Sequence, residues 1–261
     1  MKPETKRILI TNDDGYESEA LHALLAALRP LAHVTVVAPT IEKSASSHAL
    51  TLTRPLHFIE VDDDFFKLDD GTPTDCVFLA LNKLYDENHR PDLVISGINR
   101  GANMGEDITY SGTAAAAMEA VLQGIPAIAI SQACDSGCEG VDYALAQETV
   151  VALAQRILAG DYPLPERHFL NVNIPPVPPH QSQGIRVTRA GRRAYANNAH
   201  VHHNPRGEEY YWIGLPRFDW LESEGGLSDF EAIERHAISV TPVQLDMTAH
   251  EEIKALEAWL S

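Results

Sequence analysis

The sequence predicts an α/β fold: a doubly wound, mainly parallel sheet over residues 1–175, followed over 176–261 by an extension of hairpins and a closing helix that packs back on the core. Three observations carry this reading. Short apolar runs alternate with stretches of helical periodicity through the first two thirds of the chain, the pattern of successive β-α-β units. Each apolar run gives way to a polar or glycine-rich segment, as strands do at the carboxyl edge of an open sheet. The proline cluster Pro175, Pro176, Pro178 and Pro179 then marks a change of texture, and shorter alternating stretches follow.

The elements follow in order. Arg7-Ile8-Leu9-Ile10-Thr11 reads as a buried strand, and residues 18–28 as a helix with Leu21, Leu24, Leu25 and Leu28 on one face, ended by Pro30. Val34-Thr35-Val36-Val37-Ala38 is a second buried strand. A β-α-β opening implies parallel strands with a right-handed crossover. A serine-rich segment at 40–48 precedes strand-like pieces at 56–60 and 65–68, with Asp70-Gly71 as a turn. A helix is expected from Thr74-Asp75 to about residue 85, and a buried strand at Asp92-Leu93-Val94-Ile95-Ser96. A long glycine-rich loop is expected over 97–110. Ser111-Gly112-Thr113 opens an alanine-rich helix to about Leu122, stopped by Gly124 and Pro126. Ala127-Ile128-Ala129-Ile130 is a strand, 143–158 an amphipathic helix and 169–174 the last core strand. Beyond Pro175, residues 185–190, 210–213 and 238–241 alternate like antiparallel strands, 195–205 is an irregular segment rich in Asn and His, and 249–260 is a closing helix.

Composition bounds the function. A chain of 261 residues, 44% of them hydrophobic, suffices for one large α/β domain with an appendage. The net charge of −17 argues against nucleic-acid duplexes and anionic membranes as partners. No apolar run approaches the roughly 20 residues of a membrane span. The polar start and the short apolar run after it do not make a signal peptide, so a cytoplasmic protein is expected. The three cysteines make no disulfide framework: Cys134 and Cys138 are expected as free thiols and Cys76 as core.

The first strand runs directly into Asn12-Asp13-Asp14-Gly15. Two adjacent carboxylates repel unless a proton or cation lies between them, so the pair suggests a hard divalent metal. Taken alone, Asn-Asp-Asp-Gly reads more readily as a turn than as a metal site. Two further loops belong at the same sheet edge: the segment with Lys43 and Ser44, and Ser96-Gly97-Ile98-Asn99-Arg100-Gly101-Ala102-Asn103. Asp carboxylates, an Asn carbonyl and a Ser hydroxyl are hard oxygen donors suited to Mg²⁺, Mn²⁺ or Ca²⁺ rather than zinc. Ser111 is a natural N-cap, and the helix N-terminus at Ser111, Gly112 and Thr113 offers N–H groups and a positive dipole end to a phosphate. Lys43 and Arg100 are candidates for added positive field. His48 lies near the proposed site, whereas His200, His202 and His203 read as a solvated or interface loop.

Several collinear stretches resemble the SurE family of survival-protein nucleotidases: Asn12-Asp13-Asp14-Gly15, Gly71-Thr72-Pro73-Thr74-Asp75-Cys76, Ser96-Gly97-Ile98-Asn99 and Tyr110-Ser111-Gly112-Thr113. The likeness continues through Ile185-Arg186-Val187-Thr188-Arg189, Pro205-Arg206-Gly207, Tyr211-Trp212-Ile213-Gly214 and Ser239-Val240-Thr241-Pro242, so it covers nearly the whole chain. It implies a Rossmann-like core and a metal-dependent 5′- and 3′-nucleotidase acting on nucleoside monophosphates. It also implies a C-terminal extension that joins subunits into a homodimer or homotetramer. It maps the metal ligands to Asp13, Asp14, Ser44 and Asn99 and the phosphate pocket to Asn103, Ser111, Gly112 and Thr113. In such a site a carboxylate of the pair, Asp13 or Asp14, is expected to take the proton of the attacking water. Two loops depart from the family pattern: Glu17-Ser18-Glu19-Ala20 stands where Pro-Gly is common, and Ala45 follows Ser44 where a glycine is usual. Those departures motivate the rival expectation, a nucleotide-binding or assembly module that does not hydrolyse.

Overall fold

A computed structural model of the chain describes residues 5–134, 138, 140–194, 198–214, 219–221 and 225–261. Strands β1 (Arg7–Thr11) and β2 (His33–Pro39) run parallel, joined by helix α1 (Glu19–Leu28). The hairpin of β3 (His57–Asp62) and β4 (Phe65–Asp69) extends one edge, and α2 (Pro73–Lys83) leads to β5 (Leu93–Arg100), which lies parallel to β1 on its other side. Helix α3 (Gly112–Leu122), β6 (Ala127–Gln132), α4 (Ala144–Leu158) and β7 (His168–Ile174) complete the parallel run.

Both sheet faces are covered, which is why the central strands are apolar without interruption. Ile8 and Ile10 pack with α1 and α4, while Leu9 between them packs with α2 and α3, as a period of two requires. The fold class expected from the sequence is the one observed.

Strand β5 continues four residues past its expected end at Ser96. Asn99 and Arg100 pair with Ser131 and Gln132 of β6 after a register shift, and Ile98 is fully buried. The Gly-Ile-Asn-Arg stretch reads as loop in sequence because its polar members surface at the sheet's edge.

After β7 come β8 (Ile185–Val187), β9 (Arg192–Ala194), β10 (Asn198–His203), β11 (Glu209–Gly214), β12 (Asp219–Leu221), α5 (Asp229–Glu234), β13 (Ile238–Gln244) and α6 (Ile253–Leu260). Strand β13 joins the main sheet antiparallel to β7, and β8 joins parallel to β13, giving the order β3-β4-β2-β1-β5-β6-β7-β13-β8. His200, His202 and His203 stand in the β10–β11 ladder rather than in an irregular loop; residues 195–197 of that expected loop lie outside the described residues. Helix α5 and the short strands β9 and β12 are not anticipated, although the Ser228/Glu231 capping box of α5 is a readable start signal. The sulfurs of Cys134 and Cys138 are joined as a disulfide, with their Cα atoms 5.3 Å apart, against the expectation of two free thiols; Cys76 is buried in the core as expected. No helix among the described residues is long and apolar enough to cross a membrane.

A buried carboxylate fastens the late elements to the loop after β5. Asp229, fully buried, accepts the N–H groups of Gly105 and Gly191, each at 2.8 Å, and of Phe230 at 3.0 Å. Arg193 binds Asp107 of the same loop through its guanidinium and Glu106 through its backbone N–H. Removing the Asp229 carboxylate strands three donors. Asp229→Ala is therefore expected to lower unfolding free energy by about 3 kcal/mol in urea titrations, and Asp229→Asn, which keeps an acceptor, by less.

Candidate active site

The site starts where β1 surfaces. The Asn12 side chain donates to the Gly15 carbonyl at 2.9 Å and closes a tight turn. Gly15 has φ +97°, and a Cβ there would lie 3.3 Å from the carbonyl carbon of Ile41, so the turn needs glycine on both counts. The turn presents Asp13 and Asp14 to different neighbours.

Asp13 is 4% exposed. Its Oδ1 accepts the Thr113 hydroxyl at 2.6 Å and its Oδ2 the Thr113 N–H at 3.2 Å, while its backbone carbonyl accepts the Lys43 N–H at 2.7 Å. Burial pushes the Asp13 carboxyl up to about 6; the Thr113 hydroxyl opposes this and the Asp14 charge adds to it. Asp14 accepts the backbone N–H of Arg100 at 3.2 Å, and the Arg100 Nε stands 3.5 Å from its other oxygen. Its carboxyl is also raised, chiefly by burial, against the pull of Arg100 and with a smaller push from Glu42. Two carboxyls held above their ordinary range at one sheet edge mark a place where a positive charge is wanted.

Helix α3 begins at the same point. Ser111 caps it by accepting the Ala114 N–H at 3.0 Å. A Cβ on Gly112 would fall 3.0 Å from Asp13 Oδ2 and 2.7 Å from the Ser46 hydroxyl, so glycine lets the helix end close on the carboxylate. That hydroxyl is buried without a partner among the described residues. Thr113 donates both its groups to Asp13, so in this conformation it orients the carboxylate rather than facing outward.

The remaining residues expected at the site are dispersed around this contact. Asn99 precedes Arg100, and its amide nitrogen donates to the Gly101 carbonyl at 2.7 Å, which leaves its oxygen as the acceptor. Ser44 is exposed and donates to Glu42 at 2.7 Å; it is tied to the Asp pair through its neighbour Lys43. The Lys43 ammonium turns away to Asp70 at 3.1 Å, whereas Arg100 stays beside Asp14. Asn103 is buried, with its amide on Ser131 at 2.8 Å, its N–H on Asn173 and its carbonyl accepting from Asn171 and Asn173. His48 binds Glu119 at 3.1 Å.

Sequence reasoning did not single out Ser46, Asn171, Asn173 or Tyr143. The two asparagines carried a signal, since polar amides inside the buried strand Phe169-Leu170-Asn171-Val172-Asn173 need partners. Tyr143 is drawn in by electrostatics: its phenol is raised mainly by burial, with Arg100 lowering and Asp14 raising it.

The donor set fits a hard divalent cation. Asp13, Asp14 and the Asn99 carbonyl are oxygen ligands of the kind Mg²⁺ and Mn²⁺ take, and among the described residues no group of three or more His, Cys, Asp or Glu gathers as a softer shell would need.

Fold and site together define a doubly wound α/β protein whose carboxyl edge joins an acidic, oxygen-donor centre to a helix N-terminus. The sequence profile of the family described as Survival protein SurE matches residues 8–197. The chain belongs to that family. It is 62% identical over 259 residues to a Sulfurovum sp. protein named 5'-nucleotidase SurE, covering 98% of each chain. An Aliarcobacter butzleri protein of the same name is 57% identical over 260 residues, covering 98% of this chain and 99% of its own. The crystal structure of the SurE protein from Aquifex aeolicus superposes with a TM-score of 0.83 at 41% identity, covering 98% of this chain and all of that one.

The shifted carboxyl gives a pH test. Asp13 protonates near 6 in the fold against an ordinary 3.8, so the fold holds that proton more tightly. In cation-free protein its contribution to stability is complete below about pH 4 and lost as pH rises through about 6. A cation that needs the ionised form works in the opposite direction. The rise in Tm on adding Mg²⁺ or Mn²⁺ should be small near pH 5, full by about pH 7.5 and absent in Asp13→Asn.

Proposed function

We propose that the chain is a divalent-metal-dependent phosphomonoesterase that releases phosphate from nucleoside monophosphates, a 5′-nucleotidase that also takes 3′-nucleotides. The observation that carries this reading is the Thr113–Asp13 contact, which sets the carboxylate pair against the first turn of α3. The names of the relatives that match nearly the whole chain, 5'-nucleotidase SurE, agree with it and do not favour a non-hydrolysing module.

Asp13, Asp14, Asn99 and Ser44 would hold one Mg²⁺ or Mn²⁺, Ser44 after its hydroxyl leaves Glu42. When bound, that cation supplies charge stabilisation to the phosphoryl group and acidifies a water. The chain's own residues do the rest. The N–H end of α3 at Gly112, with the Ser111 cap, seats phosphate oxygens along the helix dipole. Asn103, immobilised by Ser131, Asn171 and Asn173, fixes the loop between β5 and α3. The aspartate pair accepts the proton of the attacking water. Arg100, half exposed beside Asp14, adds positive field over the site.

A cytoplasmic homodimer or homotetramer completes the reading, with residues 176–261 as the joining extension. Its support is the exposed apolar surface on Tyr211, Trp212 and Ile213 of β11 and on Leu256, Trp259 and Leu260 of α6.

Phosphate release from AMP and GMP with Mg²⁺ or Mn²⁺ tests the activity directly. Asp13→Asn should fold and lose turnover by a factor of about 10² or more. Gly112→Ala should retain the fold and lose about tenfold or more in kcat/KM, because its Cβ enters the gap between Ser46 and Asp13. Undiminished turnover by a folded Asp13→Asn would remove the mechanism.

A further inference from the structure

Next to the carboxylate centre lies a cavity of about 310 Å³ that the proposed chemistry does not use. It opens beyond the ends of β6 and β7 and is lined by Gln132, Ala133, Cys134, Val141, Asp142 and Val177, among others. Its volume is that of a small-molecule site.

Gln132 gives the cavity its character. The residue is 2% exposed. Its amide nitrogen donates to the carbonyls of Ala133 at 3.2 Å, Ile174 at 3.4 Å and Pro175 at 3.1 Å. Three carbonyls on one side fix the amide's orientation, since the reverse would set oxygen against oxygen. The Gln132 Oε1 therefore points away from them, and it has no hydrogen-bond partner among the described residues. A buried acceptor with no donor calls for one from outside. Asp142, whose Oδ1 accepts the Ala144 N–H at 2.9 Å, adds a second acceptor to the same wall.

The wall of the cavity lies close to the centre: Gln132 is the ladder partner of Arg100. The Gly101 N–H donates to the Gln132 carbonyl at 2.9 Å, and the residue before Gly101 is the Arg100 that holds Asp14. Tyr143, next in sequence to Asp142, feels both charges of the Arg100–Asp14 pair. Strand β6 is two places from β1, so Gln132 lies about 10 Å along the sheet edge from the aspartates. That span suits the distance from a seated phosphate to the base of the same nucleotide.

We propose that this cavity is the nucleobase pocket, and that Gln132 Oε1 accepts a hydrogen bond from an amino or ring N–H of the base. The proposal rests on the phosphomonoesterase reading for the position of the phosphate. Acceptors alone disfavour an anion, which places the base and not the phosphate at this end. A base that presents N–H donors on its outer edge is bound here, and an ester with no base leaves the cavity unfilled.

Cavity-filling variants of the full-length protein decide the matter. Val177→Trp and Val141→Trp are compared with the parent on AMP, GMP and base-free ribose 5-phosphate, alongside calorimetric titration with adenosine and guanosine. The expected result is a fall of about tenfold or more in the ratio of kcat/KM for nucleotide to kcat/KM for ribose 5-phosphate, mainly through KM. Nucleoside binding is lost in parallel. Gln132→Leu should show the same change in ratio. An unchanged ratio in a folded tryptophan variant overturns the pocket, and so does a parent protein that binds neither nucleoside. A parent that binds nucleosides yet releases phosphate from no ester would sink the catalytic reading while leaving the pocket standing.

Discussion

The contact between Thr113 and Asp13 is the constraint on which the rest of this site depends. It joins the end of the first strand to the first turn of a helix a hundred residues later, and it offsets the cost of a carboxylate that is 4% exposed. Two local choices make it possible. Gly112 carries no Cβ, so the helix end can approach the carboxylate. Ala114, Ala115, Ala116 and Ala117 are all buried, which lets α3 sit close over the sheet and brings its N–H end to the aspartates. A run of four alanines is thus a distance constraint as well as a favourable helix sequence.

The same logic governs the loops that frame the centre. The stretch after β5 has few apolar side chains with which to hold itself, so buried polar groups hold it. Asn103 is tied to β6 and β7 through Ser131, Asn171 and Asn173, and Gly105 to α5 through Asp229. On the other side, the loop after β2 is fastened by Ser47 to Thr109 and Tyr110, and by Thr51 to Asp75. Satisfied buried polar networks rigidify what they join. Here they position a centre whose own members, two like charges, would drive it apart.

Much of this was legible in the sequence because it follows from periodicity. Uninterrupted apolar strands such as Ile8-Leu9-Ile10, a helix stripe at Leu21, Leu24, Leu25 and Leu28, and a serine cap before alanines each specify an element locally. Because the strands are parallel, Asp13, Asp14 and Asn99 come to one edge. Ser44 shows the limit: its sequence places it in the right loop, but its hydroxyl direction depends on Glu42, which no local rule selects. Thr113 shows another, since a helix-start residue is indistinguishable in sequence from one that orients a distant carboxylate. The role of β13 could not be read either. A strand that inserts beside β7 after more than sixty intervening residues is chosen by packing against an open sheet edge, not by its own alternation.

The central claim is that Asp13 and Asp14 share one divalent cation beside the N-terminus of α3. Anomalous diffraction at the manganese edge, from crystals of the full-length protein grown with Mn²⁺ and inorganic phosphate, tests it most directly. The account predicts one strong peak per chain at about 2.0–2.6 Å from oxygens of both aspartates, with the phosphate against the Gly112 N–H. A well-ordered phosphate at that helix end with no manganese peak between the two carboxylates would contradict it.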